Sequence, residues 1–331
     1  MERVRWAVVG TSDFALDWIA RGVSLGSNAE LVAVVSRDEA RAAAAATRVG
    51  APRHYTSIEA IEREAVDGVF LVLPNPQHAP YAIAAARRGL HVIVEKPMAP
   101  TLDECRAMIA AAREAGVVLA VAQCMEWAPP VVKARELVEA GVIGKPLTAT
   151  ISASWNSPAP DPWRQSDTTE AGGGPLHDAG VHALDTIQRI LGPVTRVACE
   201  LDHLRYSYVA EDASTTLLRF ASGAHGVMHA HFNCNQNWLE IIGTEGRLWS
   251  EQWLGREFSG KLHLQRGQEL TSFDLPTVNV YKPQIEDVSA AVLGRGSPTV
   301  TGERGAVNIA VIEAAIRSAR SGAFVDVAVG L

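Results

Sequence analysis

Three side chains of this sequence stand where they could polarise an oxygen or exchange a proton: Lys96, Asp178 and His182. Lys96 closes Val94-Glu-Lys-Pro97, the end of an apolar run that reads as a strand buried on both faces. Open parallel sheets bind ligands beyond the carboxyl ends of their strands. An ammonium held there by a following proline can polarise a hydroxyl or carbonyl. In isolation the pattern equally fits a solvated lysine at a strand end. Asp178 and His182 follow Ala171-Gly-Gly-Gly174 and Pro175, a residue suited to the first position of a helix. With Asp185 they fall at i, i+4 and i+7, within an arc of about 60°. Ala179, Ala183, Leu184, Ile187, Ile190 and Leu191 make the opposite, apolar face. Histidine passes a proton near neutral pH, and a carboxylate one turn away can orient it. Arg189 shares the polar arc, so the competing expectation is a solvated Asp-His-Asp-Arg ladder.

A second constellation concerns phosphate and ribose. Strand one runs into Val8-Val-Gly-Thr-Ser-Asp-Phe-Ala15, a degenerate GxGxxG/A with Gly10, Ser12 and Ala15 at its three positions and Thr11 and Phe14 between them. The first position permits the tight turn, the second lets backbone approach a pyrophosphate, and the third must be small for helix–strand packing. The helix that follows offers its amides and dipole to an anion. Its place after the first strand of an alternating strand–helix series favours dinucleotide binding over an ordinary turn. Strand two ends at Val35-Ser-Arg-Asp, with Arg41 one helical turn on. An enzyme built for NAD wants a carboxylate there to hold the ribose. Ser36, Arg37 and Arg41 suit a 2′-phosphate, so NADP(H) is favoured and NAD(H) stays open through Asp38.

Other residues carry blander readings. His229 and His231 share a strand face, but no third ligand accompanies them, so no metal site is expected. Among the tryptophans, Trp155 and Trp163 flank the loop before the glycine run and are the best placed to stack on a sugar. No GxSxG, HExxH or P-loop occurs.

The elements that must position these groups are legible as alternation. Apolar strands at 5–9, 31–35, 69–73, 91–95 and 117–122 alternate with helical stretches at 37–48, 78–88 and 101–115. The last opens with the capping box Thr101-Leu-Asp-Glu104, and two of the helices stop at Gly89 and Gly116. This is the pattern of a doubly wound α/β domain. Beyond about residue 145 come the helix 175–191 and short strands at 195–201, 213–220, 226–232, 238–242, 247–250 and 261–265. Gly243-Thr-Glu-Gly246 reads as a hairpin turn between two of them. The expected organisation is a dinucleotide-binding domain over 1–123 and an α+β substrate domain over 124–331 with a large, mainly antiparallel sheet. A final helix, 303–321, is expected to pack back onto the first domain.

The 331 residues suit two domains, and 47% hydrophobic residues suffice for ordinary cores. Thirty Lys and Arg against 37 Asp and Glu leave a net charge of −7, which argues against a nucleic-acid binder. No run approaches membrane-spanning length, and the apolar stretch of Met1–Gly10 is too short to read as a signal peptide. Four scattered cysteines without a CxxC pair fit a reducing, cytoplasmic setting.

Taken together the pieces resemble the glucose–fructose oxidoreductase, inositol dehydrogenase and rhizopine-catabolism family of oxidoreductases. The resemblance spans nearly the whole chain. It rests on the Gly10–Ala15 turn, Pro74-Asn75 with His78, Glu95-Lys96-Pro97, Gly172–Gly174, Asp178-Ala-Gly-Val-His182 and Gly243-Thr-Glu-Gly246. Arg5-Trp6, the Ser36 to Arg41 spacing, Trp163-Arg164 and Tyr281 add a likeness to its NADPH-dependent 1,5-anhydrofructose-reductase type. The resemblance implies a nicotinamide cofactor held by the Gly10 turn, Ser36, Arg37, the Leu73–His78 loop and Glu95-Lys96. It places Gln123, Trp163, Arg164 and Tyr281 at the cofactor as well. It implies a catalytic group of Lys96, Asp178 and His182 acting on a secondary hydroxyl or ketone of a sugar, cyclitol or polyol. His182 would exchange the proton while Asp178 and Lys96 orient and polarise the substrate. Trp127, Trp155 and Trp163 would complete the substrate face. Where many relatives carry asparagine and arginine or tyrosine after strand six, this chain has Gln123-Cys-Met-Glu-Trp127, a departure at the segment that lines the nicotinamide and substrate in the family, so the resemblance names no substrate. Two other activities fit the same fold: a glycosidase that uses nicotinamide transiently, and a non-enzymatic dinucleotide sensor. Self-association into a dimer or tetramer through the C-terminal sheet is also expected.

Overall fold

Five short apolar segments of the first 125 residues, each too hydrophobic to leave a face to water, pair in parallel with one another and, at one edge, with a short polar sixth. In the computed structural model, which describes residues 2–158 and 164–330, they are β1 (Val4–Val9), β2 (Ala29–Val35), β3 (Arg53–Tyr55), β4 (Gly68–Leu71), β5 (His91–Glu95) and β6 (Leu119–Ala122). Their order is β3-β2-β1-β4-β5-β6. The chain therefore reverses direction across the sheet between β1 and β4, the place where such sheets open a crevice at their carboxyl ends. Trp6 is buried at the centre and donates its indole N–H to Ser289 Oγ at 2.9 Å. Gly68 lies flat on that indole, where a Cβ would collide with it.

Local chemistry sets the helix ends. Thr101 and Glu104 make the expected reciprocal cap on Leu102–Ala115, and Gly116 ends it in the left-handed region at φ 65°. β3 has only three residues, two of them exposed, and its sequence carries too little apolar signal to be read as a strand.

The chain divides into two compact units. The first comprises residues 1–124 with 279–306; the second comprises 125–278 with 307–330. The final helix, Gly302–Ser321, thus begins in the first unit, where Gly305 lies against Val121, and continues in the second.

The second unit is built on a nine-stranded sheet. Its strands include β7 (Pro146–Ser154), β8 (Val194–Asp202), β9 (Ala213–Phe220), β10 (His225–His231), β11 (Gln236–Gly243) and β12 (Arg247–Ser250). The order is Glu269–Asp274, Lys261–Arg266, β12, β11, β7, β10, β9, β8 and Val325–Asp326. All the pairings are antiparallel except β7 with β10. The Gly243–Gly246 turn closes as a hairpin, Gly243 N–H to Gly246 C=O at 2.8 Å. β7 escapes a periodicity reading because its residues are small and weakly contrasted, yet it holds the sheet's centre. Helical backbone over 176–191 covers one face of this sheet, with Gly180 seated against Ala230 and Met228.

That helix departs from the expected geometry. Leu176–Gly180 forms a wider π turn before regular α-helix begins at Val181. π turns inside helices are frequent at functional sites. The polar stripe is not solvated: Asp178 is 3%, His182 8% and Asp185 2% exposed.

Candidate active site

The first unit presents its candidate site residues at the carboxyl ends of its strands. Gly10, at φ 124°, turns so tightly that a Cβ would overlap the Val72 carbonyl oxygen. Only glycine fits there. Ser12, which stands where a glycine is usual, caps the following helix: its Oγ accepts Ala15 N–H at 3.2 Å and its carbonyl accepts Leu16 N–H at 3.0 Å. Ala15 is fully buried, as close helix–strand packing requires. Phe14 meets Tyr281 edge-on at 6.0 Å, and Trp18 lies 6.2 Å from the same ring. These residues therefore fit a dinucleotide turn: the glycine, the capped helix start and the small third residue are all in place.

At the end of β2 both nearby carboxylates are engaged. Asp38 Oδ1 accepts the Arg41 N–H at 2.8 Å and so caps Glu39–Val49. Glu39 pairs with His54 Nε2 at 2.7 Å. Ser36 is half-buried, and Arg37 and Arg41 are exposed beside it.

The loop after β4 is tied to the loop after β5 through His78. Its Nδ1 lies 2.8 Å from the Pro97 carbonyl and its Nε2 2.9 Å from the Leu73 carbonyl. The ring is 0% exposed, and burial, with the Lys96 charge in the same sense, pushes its pKa down to about 4. A neutral ring has one N–H, so it donates to one carbonyl at a time. His78 thus ties the two loops together. Asn75 is buried in the turn beginning at Pro74. Lys96, half-buried, follows Glu95, whose Oε2 accepts the Lys96 N–H at 3.2 Å. Gln123 is buried at the end of β6. Cys124 beside it is no nucleophile, because burial and the Glu95 charge push its thiol up to about 12.

In the second unit the proposed helix residues each have a structural context. Asp178 Oδ2 accepts Arg164 Nε–H at 3.1 Å across the glycine-run loop. Arg164, expected at the cofactor, is thus an ion-pair partner of the candidate catalytic carboxylate. His182 lies on the next turn. Asp185 accepts from Asn308 Nδ2 at 3.0 Å, and Arg189 donates to Glu126 Oε1 at 3.2 Å. Glu126 is buried and also receives Arg135. These partners overturn the solvated-ladder expectation for Asp178, His182 and Asp185, which are buried, while Arg189 stays exposed and reaches the buried Glu126. Trp155 packs on Phe232 at 5.2 Å between ring centres, and Trp127 is half-buried in the turn Cys124–Trp127. Trp163 lies outside the described residues. Among the described residues no group of three or more His, Cys, Asp or Glu is placed to hold a metal ion, and no helix is long and apolar enough to cross a membrane.

Comparison with known proteins matches two family models to this chain. Residues 4–123 match the oxidoreductase family with NAD-binding Rossmann fold, GFO/IDH/MocA, and residues 131–249 match the GFO/IDH/MocA C-terminal domain. The chain belongs to this oxidoreductase family. Among its relatives, a 1,5-anhydro-D-fructose reductase of Ensifer adhaerens is 32% identical over 99% of both chains. A D-xylose 1-dehydrogenase (NADP(+)) 2 of Haloferax volcanii is 30% identical over 97% of this chain and 99% of its own. The solved aldose-aldose oxidoreductase of Caulobacter crescentus, complexed with glycerol, superposes with a TM-score of 0.92 at 27% identity over 98% of this chain and 100% of its own.

The two matched segments of this family hold most of the candidate residues, with Trp127 and Tyr281 outside both. Gly10, Ser36, Lys96 and Gln123 fall in the Rossmann segment; Asp178 and His182 fall in the C-terminal one. Sequence reading missed Glu126, Glu211 and Asn308. Each is a buried polar residue without local periodicity, and only its distant partner gives it meaning.

Proposed function

We propose that this oxidoreductase transfers hydride to or from a secondary alcohol or ketone of a sugar, cyclitol or related polyol, with NADP(H) preferred over NAD(H). The observation that carries this reading is the buried Asp178–His182 pair on successive turns of the helix after the glycine run, with Asp178 paired to Arg164. The relatives named as sugar reductases and dehydrogenases support the substrate class. In this reading the Gly10 turn, Ser36, Arg37, Asn75, Glu95, Gln123 and Tyr281 hold the dinucleotide, whose nicotinamide gives or takes the hydride when bound. His182 accepts or returns the hydroxyl proton. Lys96 stabilises the negative character of the reacting oxygen, and Trp127 and Trp155 face the substrate. The preference for NADP(H) follows from the β2 end: Asp38 is spent on its helix cap and Glu39 on His54, while Ser36, Arg37 and Arg41 stand there to meet a 2′-phosphate.

The reading includes a cytoplasmic enzyme that pairs copies through the sheet face away from helix 176–191. The register places Leu217, Val227, Thr150, Glu240 and Trp249 in one row on that face, and Leu217 is 47% exposed.

The test is a panel of ketosugars and polyols with NADPH, NADH and their oxidised forms, followed at the absorbance of reduced nicotinamide. Turnover of at least one member with a lower KM for NADPH is expected. No turnover together with equal binding of the two cofactors refutes the reading. Turnover of a glycoside without net change in NADPH assigns the glycosidase alternative instead.

A further inference from the structure

One buried carboxylate in the second unit lies outside the set assigned above. Glu211, 3% exposed, sits in the segment leading into β9. Its Oε1 accepts the Leu176 N–H at 3.2 Å, and its Oε2 accepts the Thr169 hydroxyl. Between these contacts the carboxylate lies over Gly174, whose φ is +83° and where a Cβ would overlap it. The same segment is stitched to the glycine-run loop by backbone bonds: Val209 N–H to Gln165 C=O at 3.0 Å and Ala210 N–H to the same oxygen at 3.3 Å. Gly174 N–H in turn donates to the Arg164 carbonyl at 2.7 Å. Arg164 is the residue whose guanidinium pairs with Asp178.

A carboxylate at a helix start is favoured by the amides and dipole it meets there. This one clamps both ends of the glycine run to the helix start, two residues before Asp178. We propose that Glu211 is a positioning residue: its carboxyl group latches the Thr169–Leu176 loop to the helix start and so fixes Asp178 and its Arg164 partner in working geometry. The proposal rests on the reading of Asp178 and His182 as catalytic, and it adds a second control over that pair. A protonated carboxyl still accepts the Leu176 N–H on its carbonyl oxygen and donates its O–H to the Thr169 hydroxyl, so the neutral group keeps both ends of the latch, whereas the buried charge of the ionised form loosens it.

Burial raises the Glu211 pKa to about 7, against the opposing pull of the Thr169 and Leu176 hydrogen bonds, so the latch titrates near neutrality. The groups facing it are few. His203, from the turn after β8, acts in the lowering sense, and Cys199 on β8 has its thiol pushed up mainly by burial, with a smaller push from Glu211. Asp212, next in the chain, is occupied by the N–H groups of Leu204, Arg205 and Tyr206. Glu170 pairs outward with Arg320. From the helix the adjacent titratable residues are His177 and Asp178.

The test compares wild type with Glu211→Gln and Glu211→Ala. Glutamine can accept from Leu176 N–H and donate to Thr169, but it does not titrate. The first readout needs no substrate: amide hydrogen exchange of the 169–180 segment, corrected for the intrinsic pH dependence, between pH 6 and pH 8. Wild type should lose protection about tenfold on going up that range, because up to about pH 7 the latched state holds a proton that the opened state has lost. E211Q should be flat, and E211A should be unprotected throughout. The second readout is single-turnover hydride transfer. The ratio of rates at pH 6 and pH 8 should be larger in wild type than in E211Q by up to about tenfold, any pH dependence common to both cancelling in the comparison. Identical pH dependence of protection in wild type and E211Q overturns the latch. A pH-dependent latch with an unchanged rate ratio overturns its coupling to Asp178. A latch that behaves as expected in a protein with no turnover on any polyol or ketosugar refutes the functional reading and the positioning role, but not the latch.

Discussion

Replacing Glu211 by glutamine should stabilise the protein in mild base and do little in acid. Burial is the cause, since it disfavours the charged form and raises the carboxyl from an ordinary 4.5 to about 7. The folded chain therefore binds this proton more tightly than the unfolded chain. Below about pH 4.5 both states hold the proton and the group is neutral in the balance. Between pH 4.5 and 7 the unfolded state ionises first and stability falls. Above pH 7 both are ionised, and the folded state carries the full penalty of a buried charge. At 1.36 kcal/mol per tenfold change in proton affinity, that penalty is about 3 kcal/mol. Glu211 is only 3% exposed, so solvent screening discounts it little. Glutamine keeps the acceptor for Leu176 and can donate to Thr169, with an imperfect fit costing about 1 kcal/mol. The net expectation at pH 8 is a variant about 2 kcal/mol more stable, which for a unit of this size raises its Tm by about 4–8 °C. Urea or thermal unfolding at pH 8 and at pH 5 measures the difference. At pH 5 it should shrink to near zero or change sign. A variant no more stable than wild type at pH 8, or a gain of equal size at both pH values, would refute the reasoning from burial.

Three further outcomes follow from the site. Lys96→Ala should slow hydride transfer about 10²–10³-fold while leaving unfolding unchanged, and Lys96→Arg should rescue it poorly because the guanidinium is planar and larger; stopped-flow rates at saturating cofactor decide this. Arg37→Ala should weaken NADPH by about 1.5–3 kcal/mol, roughly tenfold to over a hundredfold, and leave NADH nearly unaffected; an unchanged NADPH affinity would move the contact to Arg41. Asp178→Asn and His182→Asn should each lose about 10²–10⁴-fold in single turnover, with the double variant little worse than the poorer single one. Multiplicative losses would show that the two act independently.

What could be read from the residues alone is what depends on neighbours in sequence. The strand–helix alternation, the Thr101–Glu104 cap, the tight turn at Gly10 and the Gly243–Gly246 hairpin are each set by residues a few positions apart, so periodicity and turn chemistry expose them. Lys96 was legible for the same reason, because the end of an apolar run fixes where its side chain starts. The Asp178–His182 spacing was visible as well. Whether that stripe met water or protein was not. The tertiary structure decided it by bringing Arg164 to Asp178, Asn308 to Asp185 across 123 positions, and Glu126 to Arg189 across 63. It also decided that Asp38 caps a helix, that His78 joins two loops, and that Glu211 reaches Leu176 from 35 residues away. The physical reason is common to all of these: a buried polar side chain must find a partner, and no pattern along the chain names a partner that only folding brings within hydrogen-bonding distance.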